Sequence, residues 1–227
     1  MVLVLVWQFL QSVPRGESLG AALVNFLAEI AIFVVAITLH EYGHAFVATK
    51  LGDPTPRAMG RLTLDPRAHL DPIGTLLIFV AHFGYAKPVP INPAYFRKPG
   101  RDQVLVAMAG PAMNLLLCAL CILGVRGLFP ALQFATVIWW PWWKLLALQA
   151  LVLSAILNAT LAVFNLIPVP PLDGSYLLER ALPPAQRMAY RQNQMLISAV
   201  GIVLLLSGVL SPLFRLVDMH VRSLCGL

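Results

Sequence analysis

Charge is what this chain has least of. Asp, Glu, Lys and Arg make up 11% of its 227 residues, against about 25% in an ordinary soluble domain. With 59% hydrophobic residues and a mean hydropathy of +0.79, it lacks the polar surface of a water-soluble fold. The solvent for most of it is lipid. Acidic residues are scarcer than basic ones, 10 against 16, for a formal charge of +6. In a soluble protein that balance would suggest nucleic acid; here it records which loops face the cytoplasm, and no nucleic-acid partner is expected. Cysteine is sparse as well. Cys118, Cys121 and Cys225 form an odd set whose CxxC pair lies in an apolar run, so they read as small buried fillers rather than a metal or redox site. The N-terminus has no basic start and no clear small-residue cleavage site, which excludes a signal peptide; its apolar opening is too short to span and reads as an interfacial segment over 1–18.

What is abundant is long apolar runs. About 20 helical residues cross a hydrocarbon core, and four segments qualify: about 19–49, 104–125, 144–166 and 195–217. The expected fold is an all-α polytopic membrane protein with one domain over 19–217 and a short tail over 218–227. The loop 51–103 carries most of the charge, and within it PIGTLLIFVAHFG has the length of a re-entrant element rather than a span. The YAKPVPINP that follows suggests short strands, as in a hairpin, or extended chain at the membrane surface. Eight Lys or Arg lie between Lys50 and Arg101 and three between Arg180 and Arg191, whereas the opposite ends share five. That asymmetry places both loops in the cytoplasm and both termini outside, with the tryptophans of IWWPWWK anchoring the outer interface.

Against this background ionisable side chains are costly, yet TLHEYGHAF closes the first span. His40 and His44, four apart on a helix, share one face and can grip one metal ion. Glu41 stands beside them and can take a proton from water, the arrangement of an HExxH zinc hydrolase. A catalytic zinc needs a third ligand. At about 1.5 Å per residue, His44 lies ~9 Å and His40 ~15 Å before Lys50, and the third span returns to that leaflet just before Asp173. Asp65 and Asp71 share this side and remain alternatives, although turns and caps explain them well. Asp173 follows the Pro-broken IPVPPLDG, and broken backbone at membrane depth is tolerated where it lines a cavity.

HEYGH at 40–44 together with NLIPVPPLDG at 165–174 resembles the site-2 protease family of intramembrane zinc metalloproteases. GRLTLDPRAHLDPIGTLLIF, GYAKPVPINP and AGPAMN, lying between them, resemble landmarks of its compact prokaryotic members, without a PDZ or CBS domain. The resemblance implies one Zn2+ per chain held by His40, His44 and Asp173, with Glu41 as general base and Asn165 near the reaction centre. It implies a transmembrane protein as substrate, cut in or near its membrane segment, in a site facing the cytoplasm of the cell membrane. Residues from Gly60 to Pro93 are the expected substrate-binding region, by pairing with an unwound strand. Asn114 could shape the site or bond a neighbouring helix, the packing role being preferred; His69 and His82 are read as loop residues, and Glu29, three turns from His40, as too distant to share its metal. A scaffold or chaperone keeping the fold is the competing expectation, and a zinc transporter a weaker one, since one cluster does not make a path. The oligomeric state is not legible.

Overall fold

The computed structural model describes residues 19–71, 87–128 and 141–227. These residues are mostly helical. The long elements are α1 (Leu19–Lys50), α2 (Pro99–Leu128), α3 (Trp142–Asn165), α4 (Gly174–Ala181), α5 (Pro184–Gln192), α6 (Gln194–Leu206) and α7 (Ser211–Cys225).

Three of them are long and apolar enough to cross a membrane: Val24–Lys50 of α1, Pro99–Leu128 of α2 and Trp143–Asn165 of α3. The shortest, of 23 residues, reaches ~35 Å, more than a hydrocarbon core of about 30 Å. The chain is thus a helical membrane protein. α2 is central and packs against both α1 and α3. Ala36 of α1 is fully buried beside Leu157 and Leu161 of α3. Cys118, Cys121 and Val125 of α2 meet Val152, Ala155 and Ala159 of α3, and α7 lays Val221 and Cys225 onto the same cluster. All three cysteines are free and buried there, in keeping with their reading as fillers.

The fourth expected span, 195–217, is not one helix. It breaks between α6 and α7, where Gly208 takes φ +77° and Pro212 opens the next helix. Proline at 212 has no N–H to give the Gly208 carbonyl and its ring would crowd that oxygen, so the helix cannot run through. Beyond the break, α7 continues to Cys225 and includes most of the expected tail.

A cap of irregular chain covers the ends of α1 and α2. Among the described residues it contains no strand. Of the two readings of YAKPVPINP, its described part before Pro93, 87–92, is irregular chain rather than a paired strand: Pro88 and Pro90 remove alternate N–H donors, so one edge cannot build a ladder. Side chains hold this segment instead. Buried Asp53 accepts from Thr55 N (2.9 Å) and Asn92 N (2.7 Å). Buried Arg61 donates to the carbonyls of Ala68 and Pro88, and Lys87 N donates to His69 O at 2.9 Å. The PIGTLLIFVAHFG segment and His82 lie outside the described residues, as does 1–18.

Candidate metal centre

α1 carries His40, Glu41 and His44 into the bundle about two turns before its end. All three are buried, which for ionisable groups demands partners. The i, i+4 spacing stacks the two imidazoles edge to face at 4.7 Å between centroids, with their Nε2 atoms 3.1 Å apart. After α3 ends at Asn165, the turn Leu166–Leu172 folds back and sets Asp173 immediately before α4. Its Oδ2 lies 3.2 Å from His40 Nε2 and its Oδ1 3.4 Å from His44 Nε2. Among the described residues, this is the one group of three His, Cys, Asp or Glu side chains with ligand atoms all within 4.8 Å of one another.

Hydrogen bonds behind the rings decide what those atoms are. His44 Nδ1 is 2.8 Å from Val106 O, which can only accept, so the proton sits on Nδ1. His40 Nδ1 is 2.6 Å from Asn114 Oδ1, also an acceptor, and is protonated for the same reason. Both Nε2 atoms then present bare lone pairs to each other and to a carboxylate. Asp173 Oδ2 is buried and has no hydrogen-bond partner. Three acceptors at 3.1–3.4 Å repel one another unless a cation stands among them. Two imidazole nitrogens and a carboxylate oxygen, each ring steadied from behind, are a donor set suited to zinc with a position left open.

Two glycines make the approach possible. A Cβ on Gly110 of α2 would run into the imidazoles of both His40 and His44, so a larger residue there would push α2 off the cluster. A Cβ on Gly174 would overlap the Leu166 and Ile167 carbonyl oxygens and force open the turn that returns Asp173. The small residues of AGP and LDG are therefore steric conditions of the site.

The remaining candidates fall elsewhere. Glu41 is buried next to His40 but is not one of the three converging ligands. Asp65 caps the short helix Pro66–Ala68 and pairs with Arg67 at 2.8 Å; those hydrogen bonds hold its carboxyl below the ordinary range, and it takes no part in the cluster. Asp71 is likewise outside it. His69 is fully buried in the cap with Nε2 2.8 Å from Thr63 O. Glu29 is half-buried higher on α1. Asn165, the last residue of α3, donates from Nδ2 to Leu161 O of its own helix at 3.0 Å. Asn114 does bond its neighbouring helices, donating to Ala36 O and Asn158 Oδ1, and it also contacts His40 of the cluster. Asn158, singled out by no motif, contacts Asn114 at 2.8 Å. Its signal was available: an amide in an apolar span, two turns before Asn165 and so on nearly the same face.

A membrane helix bundle whose HExxH pair is completed by an aspartate from the turn after the third helix defines a metalloprotease built into the membrane. Residues 28–208 match peptidase family M50, and the chain belongs to that family, the site-2 proteases. It is 38% identical over 189 residues to the "Putative zinc metalloprotease YwhC" of Bacillus subtilis, covering 81% of this chain and 80% of that one. The "Putative zinc metalloprotease Rip2" of Mycobacterium tuberculosis is 33% identical over 195 residues, 83% of this chain and 70% of the relative. Rip2 of Mycolicibacterium smegmatis is 30% identical over 197 residues, with the same coverage of 83% and 70%. No solved structure gives a significant match. The chain is a zinc metalloprotease of the intramembrane class, and the scaffold reading is not favoured.

Proposed function

We propose that this protein cuts transmembrane protein substrates, with His40, His44 and Asp173 holding one zinc ion and Glu41 as general base. The observation that carries the reading is the convergence of three candidate ligand atoms from α1 and from the turn after α3, beside the buried Glu41 carboxylate. When bound, zinc supplies Lewis acidity, making water a stronger acid and polarising the scissile carbonyl. Glu41 accepts the proton of the attacking water and passes it to the leaving amine. Asn165, on the chain that leads to Asp173, positions the substrate or donates to the developing oxyanion by releasing its bond to Leu161 O. A helical substrate must unwind first, and the region from Gly60 to Pro93 receives the unwound strand.

The basic loops put the site toward the cytoplasm and both termini outside. α6 and α7, 13 and 15 residues, complete a broken fourth traverse, their combined rise of ~42 Å being sufficient despite the turn between them. A lipid bilayer is therefore a standing partner.

Purified full-length protein should contain about one zinc per chain and cleave a single-span test substrate. Glu41→Gln should lower cleavage by roughly 10²- to 10⁴-fold while zinc stays bound. Undiminished cleavage by that variant would sink the assigned mechanism, and a zinc-loaded wild type that cuts no membrane substrate would sink the substrate assignment.

A further inference from the structure

We infer that Asn158 is a positioning residue for the metal centre: acting through Asn114, and together with the Ala36 carbonyl, it sets which nitrogen of His40 carries the proton. The inference rests on the zinc reading of the His40, His44 and Asp173 cluster.

An asparagine amide can turn by half a revolution with almost no change of shape, exchanging its donor for its acceptor. If Asn114 turned, it would present Nδ2 to His40 Nδ1. The imidazole could then hydrogen-bond only by accepting at Nδ1, which moves its proton to Nε2. That atom faces His44 and Asp173, and with a proton on it His40 has no lone pair to give a metal. The direction of the Asn114 amide is therefore a condition of metal binding.

Two acceptors hold that direction. Asn114 Nδ2 donates to Asn158 Oδ1 at 2.8 Å and to Ala36 O at 3.2 Å. Asn158 cannot turn freely either, because its own Nδ2 donates to Ser154 O at 2.8 Å and lies 3.4 Å from Ser154 Oγ. A backbone carbonyl has no donor to offer, so the polarity of the chain is pinned at Ser154 and runs in one sense through Asn158 and Asn114 to His40. Asn114 and Asn158 are both 0% exposed, which leaves no solvent to substitute for a lost partner. All three spans contribute: Ala36 from α1, Asn114 from α2, Asn158 from α3.

The plainer role for Asn158 is a polar pin between α2 and α3, as interhelical amides often are in membranes. A pin would support packing but would be indifferent to the His40 proton. The discriminating measurement is made on the whole chain in detergent, using zinc affinity by chelator competition and the visible ligand-field spectrum of the Co2+-loaded protein. Asn158→Leu, nearly the same size, should weaken zinc binding roughly 10- to 100-fold and alter the Co2+ spectrum. Asn158→Asp, neutral when buried, keeps an acceptor for Asn114 and a donor for Ser154 O, and should return both readouts close to wild type. In an Asn114→Leu background, Asn158→Leu should weaken zinc binding no further. Asn158→Ala removes the same acceptor with less bulk and carries the comparison if the leucine variant does not fold.

Folded Asn158→Leu or Asn158→Ala protein with wild-type zinc affinity and an unchanged Co2+ spectrum would overturn the inference. So would an equal loss with and without Asn114, which is the mark of packing alone. Wild-type protein that binds no zinc would remove the metal-centre reading beneath it, a failure visible before any Asn158 variant is made.

Discussion

The irregular cap and the candidate metal centre both bury polar side chains, and they use them in opposite ways. In the cap, Asp53 and Arg61 each end on backbone groups that the irregular chain would otherwise leave unpaired. In the centre, side chains bond to one another from behind and leave lone pairs facing inward: His40 to Asn114, Asn114 to Asn158, and Asp173 Oδ2 to nothing. His69 of the cap also has a buried unpartnered Nδ1, but it stands alone, outside any ligand cluster. Buried polarity that is satisfied marks structure. Unsatisfied polarity that converges from separate elements marks chemistry.

The sharpest way to break this contrast is at the ligands. Asp173→Ala or His44→Ala should release zinc and abolish cleavage, read by metal content of purified protein; zinc retained by both variants would leave the convergence without meaning. Gly110→Ala should come next, since its methyl collides with both imidazoles. It should cost about 1–3 kcal/mol by overpacking and reduce zinc occupancy with it, whereas a variant with full occupancy would show that α2 can move aside freely. Asp53→Ala tests the other region. It strips two backbone N–H groups, at Thr55 and Asn92, of their buried acceptor. Stability should fall by about 1–3 kcal/mol, seen as a lower unfolding midpoint, while each folded molecule keeps its zinc. The smallest effect is expected at Asp65→Asn, which removes an exposed pair with Arg67. Neither the unfolding midpoint nor zinc content should move measurably, and a loss of zinc would reopen Asp65 as a ligand.

Much of the site was readable because its parts are local. The i, i+4 histidines need only helical periodicity, and the apolar runs of α1, α2 and α3 need only length. Asp173 was reachable by counting membrane crossings, with Asp65 and Asp71 as rivals that the geometry then separated from the cluster. The break in the fourth run was also written locally, in Gly208 and Pro212, but the hydropathy around it concealed it. Asn158 was different. An isolated amide in an apolar helix does not say which way it points, and its partner is 44 residues away. The bond from Asp53 to Asn92 spans 39 residues of chain rich in proline, where no periodicity carries information.

By itself, then, the sequence determined the solvent, the three long spans, the HExxH pair and the need for a third ligand, because helix geometry and transfer of apolar side chains to lipid act over neighbouring residues. Tertiary structure alone decided which aspartate completes the set and which histidine nitrogens are left bare. Those choices depend on the turn that returns Asp173 to α1 and on the Val106 and Asn114 oxygens that accept from His44 and His40, groups brought beside α1 by packing and not by the chain between them.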